Sequence, residues 1–336
     1  MKSVIIGCGS IGRRHANNLA SRDDVELTLF DTDPEQAEQV ANEIGATVAP
    51  SRSKALEGDP DITLVCTPTH LHVEHARQAL ERNSHVFVEK PISHTPDGVE
   101  ALIRLSEEQN RVLMVGCNMR FHPPVHQITQ WLEQDEIGRV QFIRMRFGHD
   151  LRNWRDTDYQ DSYSASNEQG GGIILDAVHE LDLALLWLDS VTSITASSGQ
   201  LSELDLDVED TADIILESEQ NAACALHFDY LRPRRARTYE LIGGDGMIRW
   251  DAEGKQPETS TLTCYSVDGD TRMRASFEMS LNDMYTREME HFLNCVSGSE
   301  TPAMDGERGA SVLHLARLAK RSANTGTSKT VSDTLT

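Results

Sequence analysis

Lysine is scarce in this chain of 336 residues: only Lys2, Lys54, Lys90, Lys255, Lys320 and Lys329 stand among its 31 basic residues, against 54 acidic ones. The resulting net charge of -23 argues against nucleic acid or an anionic membrane surface as a partner, because phosphates would be repelled. Paired cysteine spacing is missing too. Cys8, Cys66, Cys117, Cys224, Cys264 and Cys295 lie far apart, which points away from a disulfide framework and from a zinc or redox motif and towards reduced thiols. No apolar run approaches the ~20 residues of a membrane span, and Met1 leads straight into a strand-like stretch. The expectation is a cytoplasmic protein with no metal site.

What is present describes a folded enzyme-sized chain. Its length corresponds to about two domains of ~100–200 residues. A content of 38% hydrophobic and 25% charged residues excludes disorder and collagen-like repeats. An acidic, lysine-poor surface fits a high-salt cell, where concentrated ions screen the self-repulsion.

The first ~120 residues alternate β-branched runs with helical patterns. Strands are expected at Lys2–Ile6, Glu26–Phe30, Asp61–Cys66, His85–Val88 and Arg111–Gly116, and helices near Ile11–Ser21, Pro34–Ile44, His72–Arg82 and Thr95–Gln109. That alternation predicts a parallel sheet with helices on both faces. A helix over Val125–Glu133 leads out of it. Beyond Gly138 strands follow one another, at Val140–Gly148, Val191–Ser198, Glu209–Leu216, Ala222–Tyr230, Thr238–Ile242, Met247–Asp251 and Thr261–Ser266. One long helix, Ile174–Leu188, interrupts them, and helices return at Met284–Val296 and Arg308–Ala323. The expected fold is therefore α/β plus α+β: a Rossmann-type domain over 1–120, then a domain over 121–336 built on a large, mostly antiparallel open sheet.

Gly7-Cys8-Gly9-Ser10-Ile11-Gly12 follows the first strand and opens a helix. In a dinucleotide site, Gly7 permits the tight turn, Gly9 admits the pyrophosphate and Gly12 lets helix and strand pack. The phosphates sit at the helix N-terminus, where free N–H groups and the dipole favour negative charge. Asp31 ends the second strand, 19 residues past Gly12, and suits the ribose hydroxyls of NAD. NADP use requires Arg13 or Arg14 to reach a 2′-phosphate.

Three further stretches carry a resemblance: Thr67-Pro68-Thr69 with His72, Glu89-Lys90-Pro91, and Asn118-Met119-Arg120-Phe121. With the glycine loop, their order resembles the glucose–fructose oxidoreductase / inositol dehydrogenase / rhizopine-catabolism (Gfo/Idh/MocA) family. The second half agrees: Gly170-Gly171-Gly172 followed by Asp176, His179 and Asp182, then Val208-Glu209-Asp210, Gly243-Gly244-Asp245-Gly246, and Tyr285 with Glu288. Asp176 stands three residues before His179 rather than four, a spacing that keeps both on one helix face. Asp-x-x-His-Glu, with Trp154-Arg155 and Tyr159 upstream, is similar to a subgroup often associated with surface-polysaccharide sugars.

The resemblance implies hydride transfer between a nicotinamide and a hydroxyl or ketone carbon of a sugar, cyclitol or nucleotide sugar. His179 is the candidate base, since an imidazole exchanges protons near neutrality. The family places Lys90 at the same hydroxyl, steadying the developing alkoxide. Asp176 bonds to substrate or orients the imidazole, and Asp182 is an alternative orienter. The cofactor-binding set is Gly7, Gly9, Ser10, Ile11, Gly12, Asp31, Thr67, Pro68, His72, Glu89, Lys90 and Asn118. The substrate-binding set is Lys90, Arg120, Trp154, Arg155, Tyr159, Asp176 and His179, with Tyr163, Tyr230 and Arg232 as further polar and aromatic groups on that side. The substrate is expected between the nicotinamide and the Ile174–Leu188 helix, and a homo-oligomer (dimer or tetramer) follows from the family's open sheet. Two alternatives stand beside this reading: a same-fold reductase of a dihydrodiol, imine or tetrapyrrole, and a non-catalytic cofactor-binding regulator.

Overall fold

The computed structural model describes residues 1–154, 158–253 and 258–332. They form two compact units, Met1–Asn118 with Met284–Ser311, and Met119–Asp283 with the described residues from Val312 on.

In the first unit six parallel strands run β1 (Lys2–Ile6), β2 (Glu26–Phe30), β3 (Thr47–Val48), β4 (Ile62–Val65), β5 (His85–Val88) and β6 (Leu113–Val115). Their order in the sheet is β3-β2-β1-β4-β5-β6. The central strands are covered on both faces, so they read as near-continuous apolar runs; β4, Ile-Thr-Leu-Val, is buried throughout, its one polar residue Thr63 included. The helices between strands are α1 (Ser10–Ala20), α2 (Pro34–Ile44), α3 (Arg52–Leu56), α4 (His72–Leu80) and α5 (Val99–Glu108). Helix α1 buries Gly12, His15, Ala16 and Leu19, one stripe at helical spacing. Helix α2 starts at Pro34 behind an Asp33 cap that accepts from the N–H groups of Glu35 and Gln36, and it ends at Gly45 with φ 74°, the left-handed stop that glycine tolerates best.

The second unit opens with α6 (Pro123–Glu133) and strand β7 (Val140–Gly148). Two short helices, α7 (Ile173–Asp176) and α8 (Val178–Trp187), precede β8 (Ser193–Gly199), β9 (Thr211–Glu217), β10 (Ala223–Asp229), β11 (Ala236–Gly243), β12 (Gly246–Glu253), β13 (Glu258–Ser266) and β14 (Thr271–Met279). The chain finishes with α9 (Asn282–Val296), α10 (Gly306–Thr325) and β15 (Lys329–Thr330). The sheet order is β14-β13-β12-β11-β7-β10-β9-β8-β15. Only the β7–β10 pair is parallel; the other pairs are antiparallel. This is the large, mostly antiparallel sheet expected. Its covered face carries Tyr239 and Trp250 with ring centroids 4.8 Å apart, and Tyr239 with Trp187 of α8 at 6.0 Å.

Three features differ from the sequence reading. The single helix over Ile174–Leu188 is two helices, interrupted at Ala177 with φ -93° and ψ 25°, so Asp176 and His179 do not share one continuous helix. Strands β3, β14 and β15 and helix α3 were not expected. Thirdly, Met284–Ser311 packs with the first unit: Phe292 meets Phe87 edge to face at 5.6 Å, and the Val115 N–H donates to the Met304 carbonyl at 2.8 Å.

Candidate cofactor and catalytic residues

The glycine loop leaves β1 beside the end of β4, where the strand order reverses, the position at which open α/β sheets take ligands. Gly7 has φ 97°, and a Cβ there would lie 2.6 Å from the Cys66 carbonyl oxygen. A Cβ on Gly12 would meet the Gly7 carbonyl oxygen at 1.8 Å; no side chain fits. Gly9 is different, since its nearest neighbour would be Gln36 Nε2 at 3.8 Å. The protein itself leaves that volume open, as a diphosphate requires. Helix α1 has no side-chain cap and no acidic residue in its first turn, in contrast to the capped α2. Its first N–H groups and dipole are thus available to an anion.

Asp31 is tied into the loop it faces. One carboxylate oxygen accepts from the Cys8 N–H at 2.6 Å, and the other from the Asp33 N–H at 2.9 Å. Burial, reinforced by Asp31, pushes the Cys8 thiol up to about 12, so this cysteine stays a neutral filler under the loop. Ser10 and Ile11 open α1 with exposed and half-buried side chains.

Thr67 and Pro68 follow β4, and both are half-buried. His72 starts α4 and is 1% exposed. Its Nδ1 lies 2.8 Å from the Pro91 carbonyl and its Nε2 2.8 Å from the Thr67 carbonyl. Burial lowers its pKa, so the neutral ring has one N–H to give to one carbonyl at a time. With both nitrogens facing the main chain, His72 braces the loops after β4 and β5 and offers no ring nitrogen to a cofactor. Glu89 ends β5 with Oε1 2.9 Å from His15 Nε2, and Oε2 accepts from the Lys90 N–H at 3.1 Å. Burial is the largest single influence and opposes its charge, but the His15 hydrogen bond, the neighbouring positive charge and the Lys90 N–H together outweigh it and hold the carboxyl below the usual range. Glu288 of α9, fully buried, is pushed well above that range by burial and by the Glu89 charge. His15 was not anticipated; its signal was a polar residue three positions past Gly12 on the face of α1 turned to the sheet. Asn118, 7% exposed, closes the first stretch of this unit.

In the second unit Asp176 is 4% exposed and accepts from two tyrosines, Tyr163 Oη at 3.2 Å and Tyr230 Oη at 2.7 Å. Burial and the neighbouring Asp176 charge raise the Tyr230 pKa far above its ordinary value, so it remains a donor. Asp182 is bound on both oxygens by Arg120, from Nε and Nη2, each at 2.7 Å. This corrects the reading of Arg120 as a substrate ligand: its guanidinium fork is committed to α8. Glu180, fully buried, forms an ion pair with Arg237, Nε to Oε1 at 2.8 Å, and accepts from the Tyr239 hydroxyl at 2.8 Å. His179 directly precedes Glu180 in the first turn of α8. From Gly170 to Ala184 every residue is buried except His179, which is half-exposed. Trp154 is also half-exposed, with its indole N–H on the His149 carbonyl at 3.1 Å. The Tyr159 hydroxyl accepts from the Asp205 N–H at 3.3 Å. Arg155 lies outside the described residues. Among the described residues no group of three or more histidines, cysteines and carboxylates could hold a metal ion, and no helix is long and apolar enough to cross a membrane.

Comparison with known proteins agrees with this geometry. Residues 1–117 match the oxidoreductase family with an NAD-binding Rossmann fold, and residues 125–249 match the GFO/IDH/MocA C-terminal domain. An oxidoreductase of Streptococcus pneumoniae is 30% identical over 257 residues, covering 75% of this chain and 68% of the relative. The chain belongs to the GFO/IDH/MocA oxidoreductase family. A second family member, the myo-inositol 2-dehydrogenase of Thermotoga maritima, is 28% identical over 336 residues and covers 96% of each chain. Among solved structures of the same fold, the WlbA dehydrogenase of Bordetella pertussis in complex with NADH and UDP-GlcNAcA superposes with a TM-score of 0.82, at 22% identity and 98% coverage of both chains. As a member of this family, the protein is an NAD-binding oxidoreductase, and the glycine loop, the uncapped α1 and Asp31 are the residues that fit the cofactor.

Proposed function

We propose that this enzyme reversibly transfers a hydride between NAD and a hydroxyl or ketone carbon of a sugar, cyclitol or nucleotide sugar, with the first unit binding cofactor and the second substrate. Bound nicotinamide supplies the hydride acceptor; what this chain adds is orientation and proton management. His179 takes the hydroxyl proton as general base. Lys90 donates a hydrogen bond to the reacting oxygen and stabilises the negative charge that develops there. Asp176, already accepting from Tyr163 and Tyr230, has lone pairs left for a substrate hydroxyl. Asn118, Thr67 and Pro68 serve the cofactor from the loops after β6 and β4.

One observation carries the assignment of His179. In a stretch of fifteen residues (170–184) it alone reaches towards solvent, on a helix whose next two carboxylates, Glu180 and Asp182, are paired with Arg237 and Arg120. A packing histidine would be buried with its neighbours. The relatives named for inositol, glucoside and UDP-sugar dehydrogenation support the substrate class. We also infer a cytoplasmic homo-oligomer, dimer or tetramer. On the large sheet Ile215 and Ile242 are exposed by 43% and 39%; Ile215 is in register with Ala225, Arg144 and Glu240, and Ile242 stands two residues past Glu240 on the same face of β11, so a second copy would cover both.

The test is a panel of sugars, cyclitols and nucleotide sugars assayed for NAD reduction, alongside imine, dihydrodiol and tetrapyrrole substrates. Turnover confined to the non-sugar set would overturn the assignment.

A further inference from the structure

His75 lies one turn past His72 on α4 and is 4% exposed. Where His72 meets two carbonyls, His75 meets two side chains. Its Nε2 contacts Nη1 of Arg52, the first residue of α3, and its Nδ1 lies 3.3 Å from the Thr67 hydroxyl. Arg52 is held in turn by Glu74, whose Oε1 accepts from Nη2 at 3.0 Å. This series, from Glu74 through Arg52 and His75 to Thr67, lies wholly within the first unit. It ends in the loop after β4, against the glycine turn: a Cβ on Gly7 would lie 2.9 Å from the Thr67 nitrogen.

The chemistry of these partners fixes where each proton sits. A guanidinium only donates, so His75 Nε2 must accept. A neutral imidazole has one N–H and one lone pair, which places the hydrogen on Nδ1. Burial, and after it the Arg52 charge, pushes the His75 pKa down to about 4, so the ring is neutral at physiological pH. Nδ1–H therefore donates to Thr67 Oγ1, and the hydrogen of the hydroxyl must go elsewhere. Among the described residues that hydroxyl has one partner, His75. An alcohol is thus turned into a donor beside the loop that takes the dinucleotide.

We propose that Arg52 is a positioning residue for the cofactor: by locking His75 as the Nδ1–H tautomer, it makes the Thr67 hydroxyl a hydrogen-bond donor to an acceptor atom of bound NAD. With the opposite tautomer, Nδ1 would take the Thr67 proton for itself and leave the cofactor facing lone pairs only. This inference rests on the reading that Thr67 serves the cofactor, and deepens it.

The experiment has two arms and needs no substrate. In cofactor-free protein carrying isotopically labelled histidine, long-range proton–nitrogen NMR spectra distinguish the two neutral tautomers, and His75→Gln identifies the signals. An Nδ1–H ring is expected in the wild type and in Arg52→Lys, whose ammonium also only donates; in Arg52→Met the fixed tautomer should be lost. In the second arm NADH binding is followed by fluorescence titration. Thr67→Val and Arg52→Met should each weaken binding roughly three- to tenfold. The double variant should bind no more weakly than Thr67→Val alone, and Arg52→Lys should keep most of the wild-type affinity. An Nε2–H ring in the wild type would overturn the inference, and so would wild-type affinity in Arg52→Met beside weak binding in Thr67→Val; both leave the role of Thr67 standing. Wild-type affinity in Thr67→Val would remove that role and the inference with it. If Arg52→Met does not fold, Arg52→Gln takes its place in both arms.

Discussion

Arg120 reaches across 62 residues of sequence to grip Asp182 by both oxygens at 2.7 Å. With side chains 12% and 0% exposed, the pair is a buried, bidentate ion pair. Removing one partner strands the other charge, at a cost of about 3–5 kcal/mol. Arg120→Ala is therefore expected to lower the urea midpoint sharply, and Arg120→Met/Asp182→Leu to recover most of the loss. A raised KM with unchanged stability would instead mark Arg120 as a substrate ligand.

His179→Ala should lower turnover by a factor on the order of 10²–10⁴, with NAD affinity little changed. Single-turnover kinetics and cofactor titration separate the two. Unaltered turnover at every pH would remove His179 from the mechanism.

In the structure Asp31 receives the N–H groups of Cys8 and Asp33, and its proposed second task is to bind the ribose of NAD. Asp31→Ser is expected to shift the kcat/KM ratio from NAD towards NADP, because a carboxylate repels a 2′-phosphate. Catalytic efficiency with NAD should also fall, since the glycine loop loses the hydrogen bond from the Cys8 N–H and the turn after β2 the one from the Asp33 N–H. A wild-type preference for NADP would show that Arg13 or Arg14 governs the choice.

His227 lies between Asp213 at 2.8 Å and Asp229 at 3.1 Å, and the Asp229 hydrogen bond, against some burial, raises its pKa. A raised value means that its contribution is complete below the unfolded value of ~6.5 and is lost as pH rises through the folded one. The side chain is 34% exposed and Asp213 66%, so solvent screening limits the effect to a few tenths of a kcal/mol, at most ~1. Unfolding midpoints between pH 5 and 9 should decline more in the wild type than in His227→Gln. Identical slopes would show that the pair contributes nothing.

The acidic surface makes a separate forecast. Screening contracts from about 10 Å at 0.1 M salt to about 3 Å at 1 M, so self-repulsion at a net charge of -23 should fade and the melting temperature rise into the molar range. A flat profile would return the protein to ordinary acidic behaviour.

The parallel sheet could be read from the chain because each of its signals is local: apolar runs of four or five residues, a glycine loop directly after β1, and capping residues at Asp33 and Gly45. Strand β14 escaped although it carries a period-two signal, Met273, Ala275, Phe277 and Met279 alternating with Arg272, Arg274, Ser276 and Glu278; as a sheet-edge strand with little full burial, it has no strong β-branched run to mark it. The break at Ala177 escaped for a different reason. Helix α8 is apolar nearly all round, so periodicity continued across the interruption. The partners of Arg120 and Asp176 had no local signal at all; they follow from distant segments meeting, as do the His15–Glu89 contact and the neutral Glu288.

The return of Met284–Ser311 to the first unit bears on how the molecule is made. A ribosome delivers β1 to β6 early, yet Phe87 waits for Phe292 and the Val115 N–H for the Met304 carbonyl until most of the chain has emerged. The nascent cofactor fold therefore spends most of synthesis with one apolar flank uncovered. A message truncated before codon 284 would yield a polypeptide that carries every glycine of the nucleotide loop and still lacks the segment that completes its core.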